Sequence, residues 1–391
     1  MTWKETCPMD ERLKFISYYL EGELTISSLC RAFGISRKTG YKFINRYLEC
    51  GLDGLKDLSR SPHNHPHAVS ESVIQTVLEA RKRHPTWGPR KLRAWLQNHC
   101  SETIFPASST IGEILTRHGL TVPRRRSRKT PLYNKPFRGC DYPNAVWSAD
   151  FKGCFLTGDN IRCDPLTISD NYSRYLIRCQ AVPATGYFDV RPVFESAFRE
   201  YGLPWAMRTD NGSPFATTTV GGLSKLSIWW MKLGIISERI RPGHPEQNGR
   251  HERMHRTLKQ DTASPPKKNW RLQQRAFDRF LTEYNRERPH EALGLNTPDS
   301  RYESASRPYP MILPEITYPD SMIVRSVKFQ GDISWKAKHI YLSKTLAGEL
   351  VGLHQIDDRF WDIYFANIKL AQLDTFELKL KHLPNNYKQN D

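Results

Sequence analysis

The chain has 391 residues, which is enough for two or three domains with hydrophobic cores of their own. Lys and Arg outnumber Asp and Glu by 58 to 41, and this net charge of +17 argues against a metabolic enzyme and predicts a polyanionic partner. No apolar run reaches the roughly 20 residues of a membrane span, and the N-terminus lacks the apolar stretch of a signal peptide. We therefore expect an intracellular protein with no membrane partner.

Most of the positive charge lies in the first third of the chain, where residues 1–140 carry +12 against +5 for residues 141–391. Residues 26–33 are predicted to form a short helix, Gly34 and Ile35 a turn, and Ser36 the N-cap of a second helix that runs to Tyr47. This is helix-turn-helix spacing over residues 1–60. The basic residues expected to face DNA are Arg37, Lys38, Lys42 and Arg46. The alternative is an ordinary basic surface helix.

Residues 61–120 begin in a Pro/His-rich stretch that predicts a linker. Beyond it, residues 70–99 have helical periodicity with a break at 85–89, and residues 108–120 follow as another helix, so we expect a second helix-turn-helix-like domain. The linker contains His63, His65 and His67, for which a solvated role is favoured over metal binding.

Residues 121–140 carry seven Lys and Arg, no acidic residue and three prolines, which predicts an extended basic linker able to lie along phosphates. A flexible tether is the alternative. The candidate DNA contacts in it are Arg124, Arg125, Arg126, Arg128 and Lys129.

The pattern changes after residue 140. Three strands are predicted over 146–155, 163–170 and 174–182, and a helix (188–202), strand (204–210), helix (224–234) and strand (235–240) follow. This order indicates a mixed-sheet α/β core over residues 141–305. Short alternating segments after residue 306 predict a small all-β, SH3-like module to residue 391.

Acidic residues mark three places in the predicted core. Asp150 lies within a strand, where an ionised carboxylate needs a partner, and Asp210 ends a strand beside a Gly-containing turn. Glu252 shares one face of a predicted helix with Arg256 and Lys259. Two of the three have a plain alternative, a turn for Asp210 and a Glu252–Arg256 ion pair on the helix for Glu252. Together the three form an all-oxygen site suited to two Mg²⁺ ions, or Mn²⁺ as a substitute, with Arg256 and Lys259 holding the DNA strand.

Four blocks of sequence resemble the retroviral-integrase-like DDE core of bacterial insertion-sequence transposases, in the single-reading-frame form with N-terminal helix-turn-helix units. They are WSADFKG, RTDNGSPF, HPEQNGRHERMHRTLK and YNRERPHEALGLNTP. The resemblance implies an RNase H-like core, Asp150, Asp210 and Glu252 as catalytic and metal-binding residues, and Mg²⁺ as the metal.

The third acid departs from the common spacing of the superfamily, in which 35 residues separate it from the second. Glu246 has that spacing from Asp210, whereas 41 residues separate Asp210 from Glu252. Glu252 instead fits the motif P-x-x-x-G-x-x-E with Pro245 and Gly249, and Glu246 is explained as a first-turn acid favoured by the helix dipole. We therefore choose Glu252.

Two other polar residues are interpreted as structural. Asp170 ends a strand before Asn-Tyr-Ser, which is typical of an Asx turn. His290, in the Arg-Pro-His element, follows a predicted helix at 269–285 and is interpreted as a satisfied structural histidine.

The expected function is that of a DNA transposase, which binds the terminal inverted repeats of a mobile element, nicks to free 3′-OH ends and joins them to target DNA. We expect at least a dimer on double-stranded DNA, in the bacterial cytoplasm and associated with the nucleoid. The alternatives are a transposase-derived regulator without catalysis and an RNase H-type nuclease.

Overall fold

The computed structural model describes residues 7–59, 68–121, 140–217, 219–240 and 249–382. The chain divides into two compact units, residues 1–68 and 69–391. No helix within the described ranges combines the length and the apolar character needed to cross a membrane.

The first unit is a bundle of three helices, α1 (Pro8–Glu21), α2 (Ile26–Ala32) and α3 (Arg37–Cys50). The hydroxyls of Thr25 and Ser36 cap α2 and α3, and Gly34 makes the turn between them with a positive φ of 64°. Phe15 and Ile16 of α1 pack against α2 and α3. The predicted helix-turn-helix is confirmed, and α1 is an element that the sequence did not predict.

The second unit begins with three more helices, α4 (Glu71–Arg83), α5 (Pro89–His99) and α6 (Ser108–Arg117). Their shared core is apolar and fully buried, and it contains Val77, Trp87, Leu92 and Ile111. The predicted break at 85–89 is the loop between α4 and α5. The predicted helices are observed, and they belong to the same compact unit as the rest of residues 69–391.

The central sheet has six strands: β1 (Val146–Phe151), β2 (Phe155–Leu156), β3 (Arg162–Asp170), β4 (Leu176–Val182), β5 (Ala206–Thr209) and β6 (Ile236–Arg239). Along the sheet they lie in the order β2-β3-β1-β5-β6, and β4 pairs with β3. The β1–β3 and β3–β4 pairs are antiparallel, whereas β1, β5 and β6 run parallel. The sheet is therefore mixed, as predicted.

Helices cover both faces of this sheet. On one face lie α7 (Tyr187–Tyr201) and α8 (Lys225–Lys232), which bury Phe194, Phe198 and Trp230 against it. On the other lie α9 (Gly249–Thr262) and α10 (Trp270–Thr282), which contribute Met254, Leu258 and Phe277. A π-helical turn at Glu283–Glu287 continues α10.

Two amide side chains form hydrogen bonds with the backbone at the outer edge of β4. Asn285 accepts a hydrogen bond from the backbone N–H of Leu176 and donates one to its carbonyl. Gln274 does the same for the N–H of Ala181 and the carbonyl of Cys179. The edge strand therefore offers fewer free backbone groups to another chain.

The α4–α6 helices contact the end of α10. His84 stacks on Trp87 at 3.8 Å between ring centroids, and its Nδ1 lies 2.9 Å from Oε1 of Glu283. Arg83 donates to Glu287 at 3.1 Å.

The C-terminal part is an antiparallel sheet in the order β13-β12-β11-β10-β7, with a separate β8–β9 hairpin. Its strands are β7 (Met322–Ser326), β8 (Asp332–Trp335), β9 (Lys338–Tyr341), β10 (Leu350–Gln355), β11 (Phe360–Phe365), β12 (Ile368–Asp374) and β13 (Lys379–His382). Its core includes Leu223 and Ile228, so it packs against α8 and the preceding loop. The predicted C-terminal β module is confirmed as an antiparallel sheet.

Candidate active site

Asp150 lies in the central strand β1, on the face of the sheet that α9 covers. Its neighbours Ala149 and Phe151 point to the opposite face, into the core beneath α7 and α8. The Asp150 side chain is 16% exposed, and its Oδ2 lies 3.9 Å from Nδ1 of His255 on α9. A mostly buried carboxylate is thus held at the junction of β1 and α9.

Asp210 directly follows β5, the parallel neighbour of β1. Ser148 is level with Arg208 in this pair, and two residues further along the two strands lie Asp150 and Asp210. Residues two apart in a strand share a face, and adjacent strands are about 4.8 Å apart. Continued by two residues, the register therefore puts Asp150 and Asp210 at corresponding positions of neighbouring strands.

Burial raises the pKa of Asp210, and the backbone N–H of Gly212, which donates to Oδ1 at 3.1 Å, opposes this shift. No cation contributes to that shift among the groups that the structure describes. The Asp210 carboxylate is thus an incompletely compensated negative charge, and carboxylate oxygens are the ligands that Mg²⁺ prefers.

Glu252 lies on α9, one helical turn before His255. The periodicity predicted for this helix is observed: Glu252, Arg256 and Lys259 are exposed, whereas His251, Met254 and Leu258 are buried. Because residues three apart in a helix are neighbours, Glu252 lies beside the residue that reaches Asp150. The third acid is on the helix that lies against β1 at Asp150.

Across the described ranges, no three His, Cys, Asp or Glu side chains are gathered closely enough to hold a metal ion. The strand register puts Asp150 and Asp210 on neighbouring strands, and the Glu252 side chain on α9 is exposed. The donor set itself, three carboxylates, fits a hard divalent cation.

The sequence did not point to His251 and His255 as part of this site. Both are buried on the inner side of α9, and their rings lie 5.3 Å apart. Burial lowers the pKa of His251 to about 4 and is the main cause that lowers the pKa of His255 to about 2. The sequence signal that could have identified these two histidines is their spacing of four residues on the apolar side of a predicted helix.

The basic residues proposed to contact DNA differ in their surroundings. Arg37, Lys38 and Lys42 are exposed on α3. Arg46, predicted to lie on the same exposed side, is instead half-buried, because the chain after α3 folds back and its guanidinium donates to the carbonyl of Lys56. The structure therefore gives Arg46 a role in the fold of this unit.

Three further sequence predictions lie outside the described residues. They concern the histidines of the first linker, the basic residues Arg124, Arg125, Arg126, Arg128 and Lys129, and the alternative acid Glu246. The described part of α9 begins at Gly249.

Asp170 is part of a buried structural network. Its Oδ1 accepts the backbone N–H of Asn144 at 2.9 Å, and its Oδ2 accepts the N–H and hydroxyl of Ser173 at 2.8 and 2.6 Å. Asn144 in turn accepts from Trp147 and Tyr302. The predicted turn role of Asp170 agrees with these contacts.

His290 differs in part from its prediction, because its Nε2 is buried without a hydrogen-bond partner among the described groups. Burial, followed by Lys91 and Arg288, lowers its pKa to about 3. The unfolded chain gains a proton near the ordinary histidine pKa of 6.5 while the folded chain does not, so stability is lost as the pH falls from about 6.5 towards 3. We expect His290→Gln to reduce the pH slope of the free energy of unfolding, measured with urea between pH 6.5 and 4.5. An unchanged slope would contradict this assignment.

Comparisons with known proteins match separate parts of the chain. A helix-turn-helix domain model matches residues 11–63, a homeodomain-like domain model residues 39–115, and an integrase core domain model residues 233–298. The last of these contains α9 with Glu252.

Relatives extend the match to 64% of the chain. The chain is 25% identical to the insertion element IS407 uncharacterized 31.7 kDa protein of Burkholderia multivorans, and the match covers 87% of that protein. It is 27% identical to the insertion element IS476 uncharacterized 39.2 kDa protein of Xanthomonas euvesicatoria, and the match covers 70% of that protein. It is 22% identical to the transposase for transposon Tn552 of Staphylococcus aureus, over 55% of it. The chain is thus similar to insertion-sequence proteins and to a transposase, and part of it matches an integrase core domain model. This agrees with the resemblance found in the sequence.

Among solved structures, the HTLV-2 integrase catalytic core domain in complex with magnesium aligns with this chain. The alignment covers 41% of this chain and 98% of the chain in that structure. The identity is 15% and the TM-score 0.33.

Proposed function

We propose that the chain is an active DNA transposase whose catalytic residues are Asp150, Asp210 and Glu252. The observation that supports this proposal is the register of β1 and β5, which, continued by two residues, puts Asp150 and Asp210 on neighbouring strands. Glu252 lies on α9, whose His255 is beside Asp150. The similarity to insertion-sequence transposases suggests the reaction class, and these three acids would supply the site for it.

The same three acids would hold Mg²⁺, or Mn²⁺ in its place, as two ions. Their oxygen ligands fit such ions, and the half-buried Asp210 carboxylate has no cation among the described groups that shift its pKa. When bound, such ions neutralise charge on the phosphate and lower the pKa of an attacking water or hydroxyl.

Both chemical steps are in-line displacements at phosphorus. In the first, a water oxygen bonds to phosphorus at the element end, and the bond to the 3′-oxygen breaks to leave a 3′-OH. In the second, that 3′-OH attacks a target phosphodiester and displaces its 3′-oxygen. One set of acids serves both steps without a covalent enzyme intermediate.

Recognition of the terminal inverted repeats is assigned to the N-terminal helical domains. Helix α3 presents Arg37, Lys38 and Lys42 to solvent, as a helix in the major groove requires. The basic segment with Arg124, Arg125, Arg126, Arg128 and Lys129 would follow the phosphates. Pairing of two element ends requires at least a dimer on DNA, and the expected location is the bacterial nucleoid.

Replacing Arg37, Lys38 and Lys42 together by Ala should weaken binding to terminal-repeat DNA and remove its preference over random duplex. Each lost phosphate contact should also reduce the slope of log K against log salt by about 0.9. Fluorescence anisotropy at several salt concentrations measures both effects. Unchanged discrimination would show that the terminal repeat is recognised elsewhere.

Replacing Arg256 and Lys259 by Ala should lower the rate of strand cleavage at low DNA concentration while leaving thermal stability nearly unchanged, because both side chains are exposed. Leu258→Ala is the matched control on the same helix. Its side chain is 1% exposed, so its loss should cost about 2–5 kcal/mol of stability. A large stability loss in the Arg256/Lys259 variant would instead make these residues structural.

The function is tested by incubating the purified chain and Mg²⁺ with DNA that carries the terminal repeats, and mapping nicks to the nucleotide. We expect nicks at the element ends that leave 3′-OH groups. Specific binding without nicking would support a regulator, and cleavage of RNA–DNA hybrids would support an RNase H-type nuclease.

A further inference from the structure

We propose that His255 is a positioning residue for the active site, held at Nε2 by Thr167 and setting the place of the Asp150 carboxylate through Nδ1. This inference rests on the function proposed above. It adds a non-acidic residue to the site.

The contacts of His255 join three elements of the core. Its Nε2 lies 2.7 Å from the hydroxyl oxygen of Thr167 on β3, and its Nδ1 lies 3.9 Å from Oδ2 of Asp150 on β1. Thr167 is the register partner of Asp150, and its hydroxyl also lies 3.1 Å from the Asp150 carbonyl oxygen. His255 thus ties α9 to the strand pair at the position of the first acid.

The two ring nitrogens have different tasks. A neutral imidazole donates at one nitrogen and accepts at the other, whereas a carboxylate only accepts. The favourable arrangement places the proton on Nδ1, where it faces the Asp150 carboxylate as an electrostatic contact at 3.9 Å, and lets Nε2 accept a hydrogen bond from Thr167. The Thr167 hydroxyl has a single proton, and its contact with Nε2 is shorter than its contact with the Asp150 carbonyl.

The position of His255 also fixes where Glu252 lies. Glu252 is one turn earlier on α9, so holding His255 against β1 and β3 sets the height and rotation of the helix relative to Asp150. Loss of this contact should spread the acids apart. Outer partners of metal ligands typically change metal affinity 10- to 100-fold when they are replaced.

Two variants separate the roles of the ring nitrogens. The amide of Asn lies about as far from the backbone as Nδ1, so His255→Asn keeps a donor towards Asp150 and loses the contact with Thr167. The longer Gln reaches as far as Nε2, so His255→Gln keeps Thr167 and loses Asp150. His255→Phe fills the space and keeps neither.

The test measures Mn²⁺ binding by electron paramagnetic resonance on the full chain without DNA, together with thermal unfolding and single-turnover nicking. We expect the Gln and Phe variants to weaken Mn²⁺ binding about tenfold or more, with nicking partly restored at high Mn²⁺, and the Asn variant to stay within about threefold of the wild type. Thr167→Val, which removes the hydroxyl but keeps the shape, should weaken binding in the same direction. Met254→Leu, a change of similar volume on the same buried side of α9 without a contact to Asp150 among those described, should leave Mn²⁺ affinity unchanged.

The inference is overturned if Gln keeps the affinity and Asn loses it, if all three variants bind like the wild type, or if all three lose affinity equally. It is also overturned if the affinity losses only follow losses of thermal stability, or if Thr167→Val binds like the wild type. A wild-type chain that neither binds Mn²⁺ nor nicks DNA would instead remove the proposed function. Failure of the two proposals is therefore distinguishable.

Discussion

Replacing Glu252 by Gln should reduce Mg²⁺-dependent nicking by about a thousandfold or more, as is typical when an essential catalytic group is removed. Gln has nearly the same shape but lacks the negative charge that a divalent cation requires. Glu252 is exposed, so the substitution should leave thermal stability and affinity for terminal-repeat DNA unchanged. Single-turnover nicking, thermal unfolding and anisotropy titration measure these three properties.

The matched control is Glu246→Gln, because Glu246 has the common spacing from Asp210. We expect this variant to nick at a rate close to that of the wild type. A first-turn acid contributes at most about 1 kcal/mol through the helix dipole. An inactive Glu246→Gln beside an active Glu252→Gln would show that the spacing rule, and not the motif around Gly249, identifies the third acid.

Replacing Asp210 by Asn should abolish nicking and at the same time raise the melting temperature of the metal-free chain. Burial disfavours the charged form of Asp210, as the raised pKa shows, and a neutral amide avoids this cost while it still accepts from the Gly212 N–H. The folded chain thus keeps a carboxylate that destabilises it, which is a common property of functional sites.

The same variant tests metal binding through stability. Mg²⁺ that binds the folded chain should raise the melting temperature of the wild type and have a much smaller effect on Asp210→Asn. The matched control is Asp170→Asn, whose carboxylate accepts from Asn144 and Ser173 at the opposite end of β1 from Asp150, and which should keep the stabilisation by Mg²⁺. Equal stabilisation of wild type and Asp210→Asn would contradict a metal site at Asp210.

Local signals were sufficient to predict much of the fold. The cap at Ser36 and the turn at Gly34 specified the first helix-turn-helix, and alternating apolar residues specified β1, β3 and β4. The exposed side of α9 followed from its periodicity. In each case a few neighbouring residues determine the structure, so the sequence alone carries the information.

Features that depend on distant contacts were missed. Arg46 lies on the outer side of its helix by periodicity, but the chain after α3 returns to it and supplies a carbonyl acceptor. Helix α1 has exposed apolar residues such as Leu20 and is stabilised by docking of Phe15 and Ile16, which weakens its pattern. The contact of His255 with Thr167 joins residues 88 positions apart, and no local pattern predicts such a pair.

The central claim is that Asp150, Asp210 and Glu252 hold one metal site although they come from two strands and a helix. Loading the full chain with Fe²⁺ in place of Mg²⁺ and adding ascorbate and peroxide generates radicals that cut the backbone near the bound ion, and mass spectrometry locates the cuts. We expect cuts near residues 150, 210 and 252 together, suppressed by excess Mg²⁺ and lost in Asp150→Asn. Cuts that miss any of these three segments, or that persist in Asp150→Asn, would contradict the shared site.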